Sequence, residues 1–421
     1  MSRDVIHVLN NIGTLHAFAG GPRRRDALRD TSPLSPGAIA WDESGRISLV
    51  GPPDEVRAAV RFRDAIRHDA GGKIVTPGLI DSHTHSVHSG SRSAEFVMRC
   101  RGMDYMEILK AGGGILSSAE KTRGASPGAL VEIGRKALGL SCGFGVTTVE
   151  CKSGYGLETE SEMKMLRAIR TLERTQPVRI KATFLGAHAV PAEFRQNPDS
   201  YVDLVVNEMI PRAANEKLAD FCDVFIEKGV FSLEQGRRII EAGLEHGLRP
   251  KVHCDEIVPM GATEMCVELG AVSVDHLIAV TDRGIEALAG SETVGCLLPG
   301  TSYFLRKPYA PCRRMVDAGC LLALATDNNP GSSRTENLQW ILNVGCLYYG
   351  LVPEEAFSMA TVNAAKALGM ESEVGSLEPG KFADFVVWDA PDLAEIAYHH
   401  SVNHAEAVVI GGRRVRGEAW S

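Results

Sequence analysis

The stretch Ile74-Val75-Thr76-Pro77-Gly78-Leu79-Ile80-Asp81-Ser82-His83-Thr84-His85 decides how the whole chain is read. An apolar run of strand character ends in two imidazoles, His83 and His85. Side chains alternate faces along an extended strand, so residues two apart project to the same side. That arrangement suits a metal ion, and it is equally what two polar residues closing a buried strand would look like. The remainder of the chain decides between them.

Outward from this stretch, short apolar runs alternate with segments of helical periodicity, the pattern of βα units and a parallel sheet. The runs are Ile74 to Ile80, Val146 to Cys151, Val178 to Leu185, Phe221 to Ile226, Pro250 to Cys254, Val272 to Asp275, Thr293 to Leu298 and Leu321 to Thr326. Helices fit between them, for example over Glu158 to Arg174 and Leu233 to Glu245. These units predict a (β/α)8 TIM barrel over residues 73–372, with its chemistry where strands end and loops begin. The flanks read differently. Val5 to Asn10, Gly37 to Trp41 and Arg46 to Val50 precede the barrel, and Asp384 to Trp388 and Ala407 to Ile410 come after it, with turn residues at Asp42 to Gly45 and Gly411-Gly412. Neither group of strands buries a core alone, so residues 1–72 and 373–421 are expected to form one small β-sandwich domain from both termini. The Arg-, Asp- and Pro-rich stretch Gly20 to Pro36 is expected to be a surface loop.

A chain of 421 residues suits one barrel and a small domain. Its formal net charge of −8 offers no basic stripe for a phosphate backbone, which argues against nucleic acid and for a small-molecule partner. No apolar run approaches the ~18 residues of a membrane span, and Met1 to His7 lacks the apolar core of a signal peptide. No membrane and a cytoplasmic setting are therefore expected. The 10 cysteines are scattered singly, several of them (Cys142, Cys222, Cys296, Cys320) inside apolar segments, so no disulfide is expected. Cys254 is expected to be a buried packing thiol rather than a nucleophile.

The residues at the end of each run point to function. His83 and His85 end the first, Lys152-Ser153-Gly154-Tyr155-Gly156 extend the second, and His188 lies just past the third. His253-Cys254-Asp255-Glu256 end the fifth, His276 the sixth and Asp327 the eighth. Structural histidines would not collect at one rim of a barrel. His83, His85, His253 and Asp327 together make a ligand set that leaves a position for water, as catalytic zinc sites do, and imidazole and carboxylate also suit iron. A metal there would lower the pKa of a water and ready it to attack a carbonyl carbon at neutral pH. Glu256, at the rim beyond His253, is placed to take the water proton and deliver it to a leaving nitrogen, a solvated loop glutamate being the alternative. His276 is placed to hydrogen-bond the nucleophile or to serve as a further ligand, and His188 to polarise a substrate carbonyl. A second metal would need a bridging group, for which Glu227 and Lys228 are the candidates. One divalent or trivalent metal ion per chain is the expectation. Arg92, in the loop after His85, would bind a substrate carboxylate with two hydrogen bonds, unless it is a surface arginine. Gly112-Gly113-Gly114 lacks the preceding strand and following lysine of a phosphate cradle.

These residues also resemble a known family. Pro77 to His85, His253, His276, Ala325-Thr326-Asp327 and the closing Gly375 to Asp384 are similar to the amidohydrolase superfamily. Ser91-Arg92, Ala111 to Ile115, Glu150 to Leu157, Phe184 to Pro191, His253 to Glu256 and Asn329 to Ser332 resemble, within it, the imidazolonepropionase family. The resemblance implies hydrolysis of the lactam C–N bond of 4-imidazolone-5-propanoate to N-formimino-L-glutamate, in histidine degradation, with zinc or iron. Carried over by position, it implies that Arg92, Tyr105, Tyr155, His188, Glu256 and Ser332 hold the substrate, that Asn329 and Gly331 contact the product, and that the assembly is a homodimer. Asn328, His88-Ser89 and Arg334 to Trp340 depart from the family pattern, all near the mouth. The alternative is therefore a relative acting on another small carboxylate-bearing cyclic amide or amidine, such as a hydantoin or a heteroaromatic amine. A metal-bound scaffold without chemistry would be expected to lose ligands, and here none is missing.

Overall fold

The apolar runs form strands that are buried on both faces, as Val146–Lys152 is along its whole length, because one face meets the barrel interior and the other the surrounding helices. The computed structural model describes residues 5–60, 65–103, 107–108 and 111–417. In chain order the barrel strands are Leu79–Asp81, Val146–Lys152, Arg179–Ala187, Phe221–Ile226, Arg249–Cys254, Ser273–His276, Val294–Leu297 and Leu321–Leu324. They are parallel and neighbour one another in that order. The first and eighth meet through their C-terminal extensions. The His85 amide donates to the Asn328 carbonyl at 2.9 Å, and the Asp327 amide to the His83 carbonyl at 3.0 Å. Behind this seam Asp81 accepts from the Thr326 amide at 3.0 Å and the Thr326 hydroxyl at 2.6 Å. The (β/α)8 barrel is thus sealed beside the residues expected to hold a metal. The helices expected from periodicity form at Thr159–Thr175 and Leu233–Glu245, the second started by a capping box between Ser232 and Gln235.

Alternation stacks the barrel interior in layers. Along the fourth strand Cys222, Val224 and Ile226 pack outward with the helices, whereas Phe221 joins the apolar floor with Ile80, Cys296, Ala323 and Ala325. Above that floor the interior turns polar, and His253, Asp327 and their neighbours occupy the rim.

The flanking strands build two further sheets, and with the barrel they complete the expected architecture. Ile47–Gly51, Gly37–Asp42, Ile6–Ile12 and Ile66–Asp69 form one. The other mixes Thr14–His16, Pro33–Leu34 and Ile74–Pro77 with Phe385–Trp388, Ala405–Ile410 and Arg413–Arg416. Between them Leu9, Ile39, Trp41, Val75, Phe385 and Val409 make one core from the two ends of the chain. Two expectations need correction. The run Ile74 to Ile80 is two strands, because Ile74–Pro77 pairs antiparallel with Phe385–Trp388 in the sandwich before the chain enters the barrel. We therefore propose a domain boundary at Gly78 rather than after residue 72. Second, Gly20 to Pro36 is not simply a surface loop. Leu28 is fully buried, and the Arg23 guanidinium donates to the carbonyls of Phe18 and Ala19. Arg24 reaches the carbonyls of Ala289 and Gly319, so the stretch straps the sandwich to the barrel.

The two units are also tied at Gly78, whose amide donates to the Asp384 carbonyl at 3.0 Å. The Asp384 carboxylate accepts from Arg179 at 2.7 Å and 3.1 Å, and the Arg179 and Arg46 guanidiniums lie 3.6 Å and 3.7 Å from the centre of the Phe382 ring. A Cβ at Gly78 would lie 2.1 Å from the Thr147 hydroxyl oxygen, so no larger residue fits the crossing. Gly78→Ala is expected to cost about 1–3 kcal/mol by overpacking, read as a lower apparent Tm by differential scanning fluorimetry. An unchanged Tm would show that the crossing is not close-packed.

Candidate active site and metal centre

The imidazoles of His83, His85 and His253 converge so that one nitrogen of each lies within 4.8 Å of the others, all buried. The Asp327 carboxylate joins them, with Oδ1 at 3.5 Å from His83 Nε2 and 3.6 Å from His85 Nε2. They come from three different strand ends. The seam between the first and eighth strands fixes His83, His85 and Asp327 to one another, and His253 stands on the fifth strand. Asp327 adopts φ +52°, a left-handed conformation that non-glycine residues hold only where surrounding contacts impose it. The Thr301 hydroxyl donates to its Oδ2 and sets the carboxylate plane.

Carboxylates behind the rings fix their tautomers. His83 Nδ1 donates to Asp275 Oδ2 at 2.7 Å, and His253 Nδ1 donates to Asp223 Oδ2 at 2.8 Å, which turns both Nε2 lone pairs toward the cluster. Burial, reinforced by Lys152 and neighbouring rings, pushes His83 and His253 well below the ordinary histidine pKa, and burial with the His188 and His253 rings does the same for His85. The rings are therefore neutral. His83 Nε2 is buried with no hydrogen-bond partner, and burial pushes the Asp327 carboxyl up to about 7. Three neutral imidazoles and a desolvated carboxylate are out of balance as they stand, and a cation among them removes the imbalance. The donor set thus fits the expected metal ion.

Sequence reasoning missed the support beneath this cluster. Lys152, fully buried, lies 2.7 Å from Glu150, 2.9 Å from Asp223 and 3.7 Å from Asp275. Lys251 donates to Ser273 at 2.7 Å, and Ser273 donates to Asp275 at 2.6 Å. Burial alone would lower the Lys152 pKa, but Asp223, Glu150 and Asp275 together raise it, so it is an ammonium. The available signal was a charge at every second position of otherwise apolar runs, as in Glu150/Lys152 and Lys251/His253.

Those of the remaining expected residues that are described fall around the same mouth. Glu256 Oε2 stands 3.7 Å from His276 Nε2, and burial, with Asp327 and Glu227 nearby, pushes its carboxyl up to about 8. His276 would face outward if the sixth strand continued regularly after Asp275. Instead His276 and Leu277 take φ +80° and +59°, and the ring comes within 5.6 Å of that of His83 and 5.2 Å of that of His253. His188 donates Nδ1–H to the Gly154 carbonyl at 3.0 Å, and burial lowers its pKa to about 4. A neutral ring so bonded presents an acceptor at Nε2, suited to a substrate N–H rather than to polarising a carbonyl. Tyr155 is buried among the rings of His85, His88 and His188.

Arg92 is not a surface arginine. Its Nε and Nη2 are paired with Glu95 at 2.9 Å and 2.7 Å, which leaves the Nη1/Nη2 edge for a carboxylate. Gly331 packs against the guanidinium, where a Cβ would sit 2.0 Å from Nη1, so only glycine fits there. The glycine run explains itself here: the Gly114 amide donates to Glu95 at 3.0 Å, so these glycines allow close approach to the pair. Asn329 is committed to its own turn. Its Oδ1 accepts from the Gly331 and Ser332 amides at 2.8 Å each, and its amide donates to Ser332 Oγ at 2.8 Å. Asn328, where the family pattern differs, accepts from Arg334 at 2.8 Å. Glu227 accepts from the amides of Lys228 and Ile257, which makes it a loop latch. Tyr105 lies outside the described residues. The described cysteines are free, and Cys254 is buried with a thiol that burial pushes well up. Among the described residues no helix is long and apolar enough to cross a membrane.

Comparison with known proteins agrees with this geometry. The model of the amidohydrolase family matches residues 74–415. An imidazolonepropionase of Geobacillus kaustophilus (strain HTA426) is 49% identical over 404 residues, 96% of this chain and 95% of its own. One from Bacillus velezensis is 43% identical over 99% of this chain and 98% of its own. Among solved structures, a triazine hydrolase variant superposes with a TM-score of 0.75 at 18% identity, covering 98% of this chain and 95% of that one. The guanine deaminase of E. coli does so with 0.69 at 16%, covering 99% and 100%. At such identities these two speak for the fold alone.

The carboxylates behind the ligands give a test of the centre. Asp223→Asn and Asp275→Asn are each expected to weaken metal retention by about 10–100-fold, measured by competition with a chromophoric chelator. Asp282→Asn, at an exposed position, should leave retention as it is. Wild-type retention in both interior variants would separate these carboxylates from the metal.

Proposed function

The chain belongs to the amidohydrolase family, and on that premise we infer that it hydrolyses the lactam C–N bond of 4-imidazolone-5-propanoate to N-formimino-L-glutamate, in histidine degradation. The observation that carries this reading is one mouth holding both a three-imidazole, one-carboxylate cluster and the part-buried guanidinium of Arg92, which Glu95 orients through Nε and Nη2. Together they match a small cyclic amide that bears a carboxylate.

His83, His85, His253 and Asp327 would hold the metal ion, zinc or iron, one per chain. When bound, it supplies Lewis acidity to a water and to the ring carbonyl. The Nη1/Nη2 edge of Arg92 takes the propanoate carboxylate, and Tyr155 and Ser332 line the pocket beside it. His188 Nε2 accepts a ring N–H. Glu256 takes a proton as water adds to the carbonyl carbon, then returns it to the ring nitrogen as the C–N bond breaks. His276 steadies the Glu256 carboxylate from 3.7 Å. One carboxylate and one formimino nitrogen result, and no redox change occurs. The Asn328 side chain is engaged by Arg334 at 2.8 Å, beside the His85 amide that donates to the Asn328 backbone carbonyl. A cytoplasmic homodimer completes the reading.

The direct test is incubation of metal-loaded protein with 4-imidazolone-5-propanoate, following loss of its ultraviolet absorbance and appearance of N-formimino-L-glutamate by mass spectrometry. Turnover of a hydantoin or a heteroaromatic amine in its place would overturn the substrate assignment.

Glu256→Gln keeps hydrogen bonding but cannot carry a proton, so kcat should fall by about 10²–10⁴-fold with little change in KM. As a base, Glu256 acts only when ionised, so activity falls as pH drops through its pKa. That acid limb should persist in His276→Asn, at a lower rate. Near-wild-type kcat in metal-replete Glu256→Gln would pass the proton shuttle to another group.

A further inference from the structure

We propose that Glu162, assisted by Arg123, is a positioning residue that fixes the 153–157 loop and thereby the placement of Tyr155 and His188 toward the substrate. The roles of Tyr155 and His188 rest on the proposed lactam hydrolysis. Glu162 stands in the first turn of Thr159–Thr175 and is fully buried. Its Oε1 accepts from the amides of Gly156 at 2.7 Å and Leu157 at 2.8 Å, and its Oε2 from the amide of Gly154 at 2.9 Å. One side chain thus gathers the polar hydrogens of the loop on both sides of Tyr155. The Ser153 hydroxyl accepts from the Leu185 amide at 2.9 Å, which ties the start of the loop to the third strand.

The carbonyls of the loop are held from the opposite direction. Arg123 donates to the Gly156 carbonyl at 2.7 Å and the Leu157 carbonyl at 2.9 Å. Amides and carbonyls of the loop are thus both engaged, and the conformation they hold is demanding. Gly154 takes φ +102°, and a Cβ there would lie 2.9 Å from His188 Nδ1, while Leu157 holds φ +52° without being glycine. The loop reaches the substrate through two groups. The Gly154 carbonyl fixes the His188 tautomer, and the Tyr155 ring packs 5.3 Å from the His188 ring. A buried carboxylate serving only the helix start would not need to reach three loop amides.

Glu162→Gln tests this, because an amide places N–H groups against a loop N–H and cannot serve every donor. kcat/KM for 4-imidazolone-5-propanoate should fall by about 10–10²-fold, mainly through KM, as expected when binding groups shift by an ångström or so. Metal content and circular dichroism should match wild type. Amide hydrogen exchange of the 153–157 peptide should be faster in the substrate-free variant, a readout that does not need turnover. Unchanged KM together with unchanged exchange overturns the proposal. If Glu162→Gln does not fold, Arg123→Ala, cut from the solvent side of the same loop, decides it by the same two readouts. A wild-type protein inert toward this substrate would sink the functional reading and leave the exchange result to judge the loop.

Discussion

A single buried ammonium, that of Lys152, underlies the centre of this protein. It touches Glu150 and Asp223 and approaches Asp275, and the last two carboxylates are the ones that orient His253 and His83. Breaking a buried ion pair by deleting one partner costs about 3–5 kcal/mol, because the remaining charge is left uncompensated. Such a network therefore holds each member in place. Glu150, Asp223 and Asp275 gather around Lys152 directly beneath the four potential metal ligands. The donor set above this network fits a cation.

The seam between the first and eighth strands extends the same constraint. His83 and His85 exchange backbone hydrogen bonds with Asp327 and Asn328, so barrel closure and ligand alignment are one event. The sandwich acts at a distance on this seam. Ile74–Pro77 leaves it at Gly78, where Asp384 ties both units, so the two ends of the chain determine where the first barrel strand begins.

Much of this was legible in the residues. Apolar runs alternating with helical periodicity identified the barrel, and the residues at the run ends pointed to the cluster of His83, His85, His253 and Asp327, because burial and strand geometry act locally on sequence. Other features depended on long-range pairing. Nothing in Ile74 to Ile80 announces that its first half belongs with Phe385–Trp388. The strand pattern would turn His276 outward, and only its left-handed backbone brings the ring in. Arg92 was visible as a candidate, but Glu95 engaging its Nε and Nη2 was not, since that pairing arises from a helix turn and from close glycine packing. The same holds for Asn329, whose side chain is spent on its own turn.

On the proposed function, one cation completes the cluster of His83, His85, His253 and Asp327 and makes it a hydrolytic centre. Elemental analysis of the purified protein, with activity followed in the same samples, tests it most directly. One equivalent of zinc or iron per chain is expected, with activity rising in proportion to occupancy. Two equivalents per chain, or full activity in metal-free protein, would contradict it.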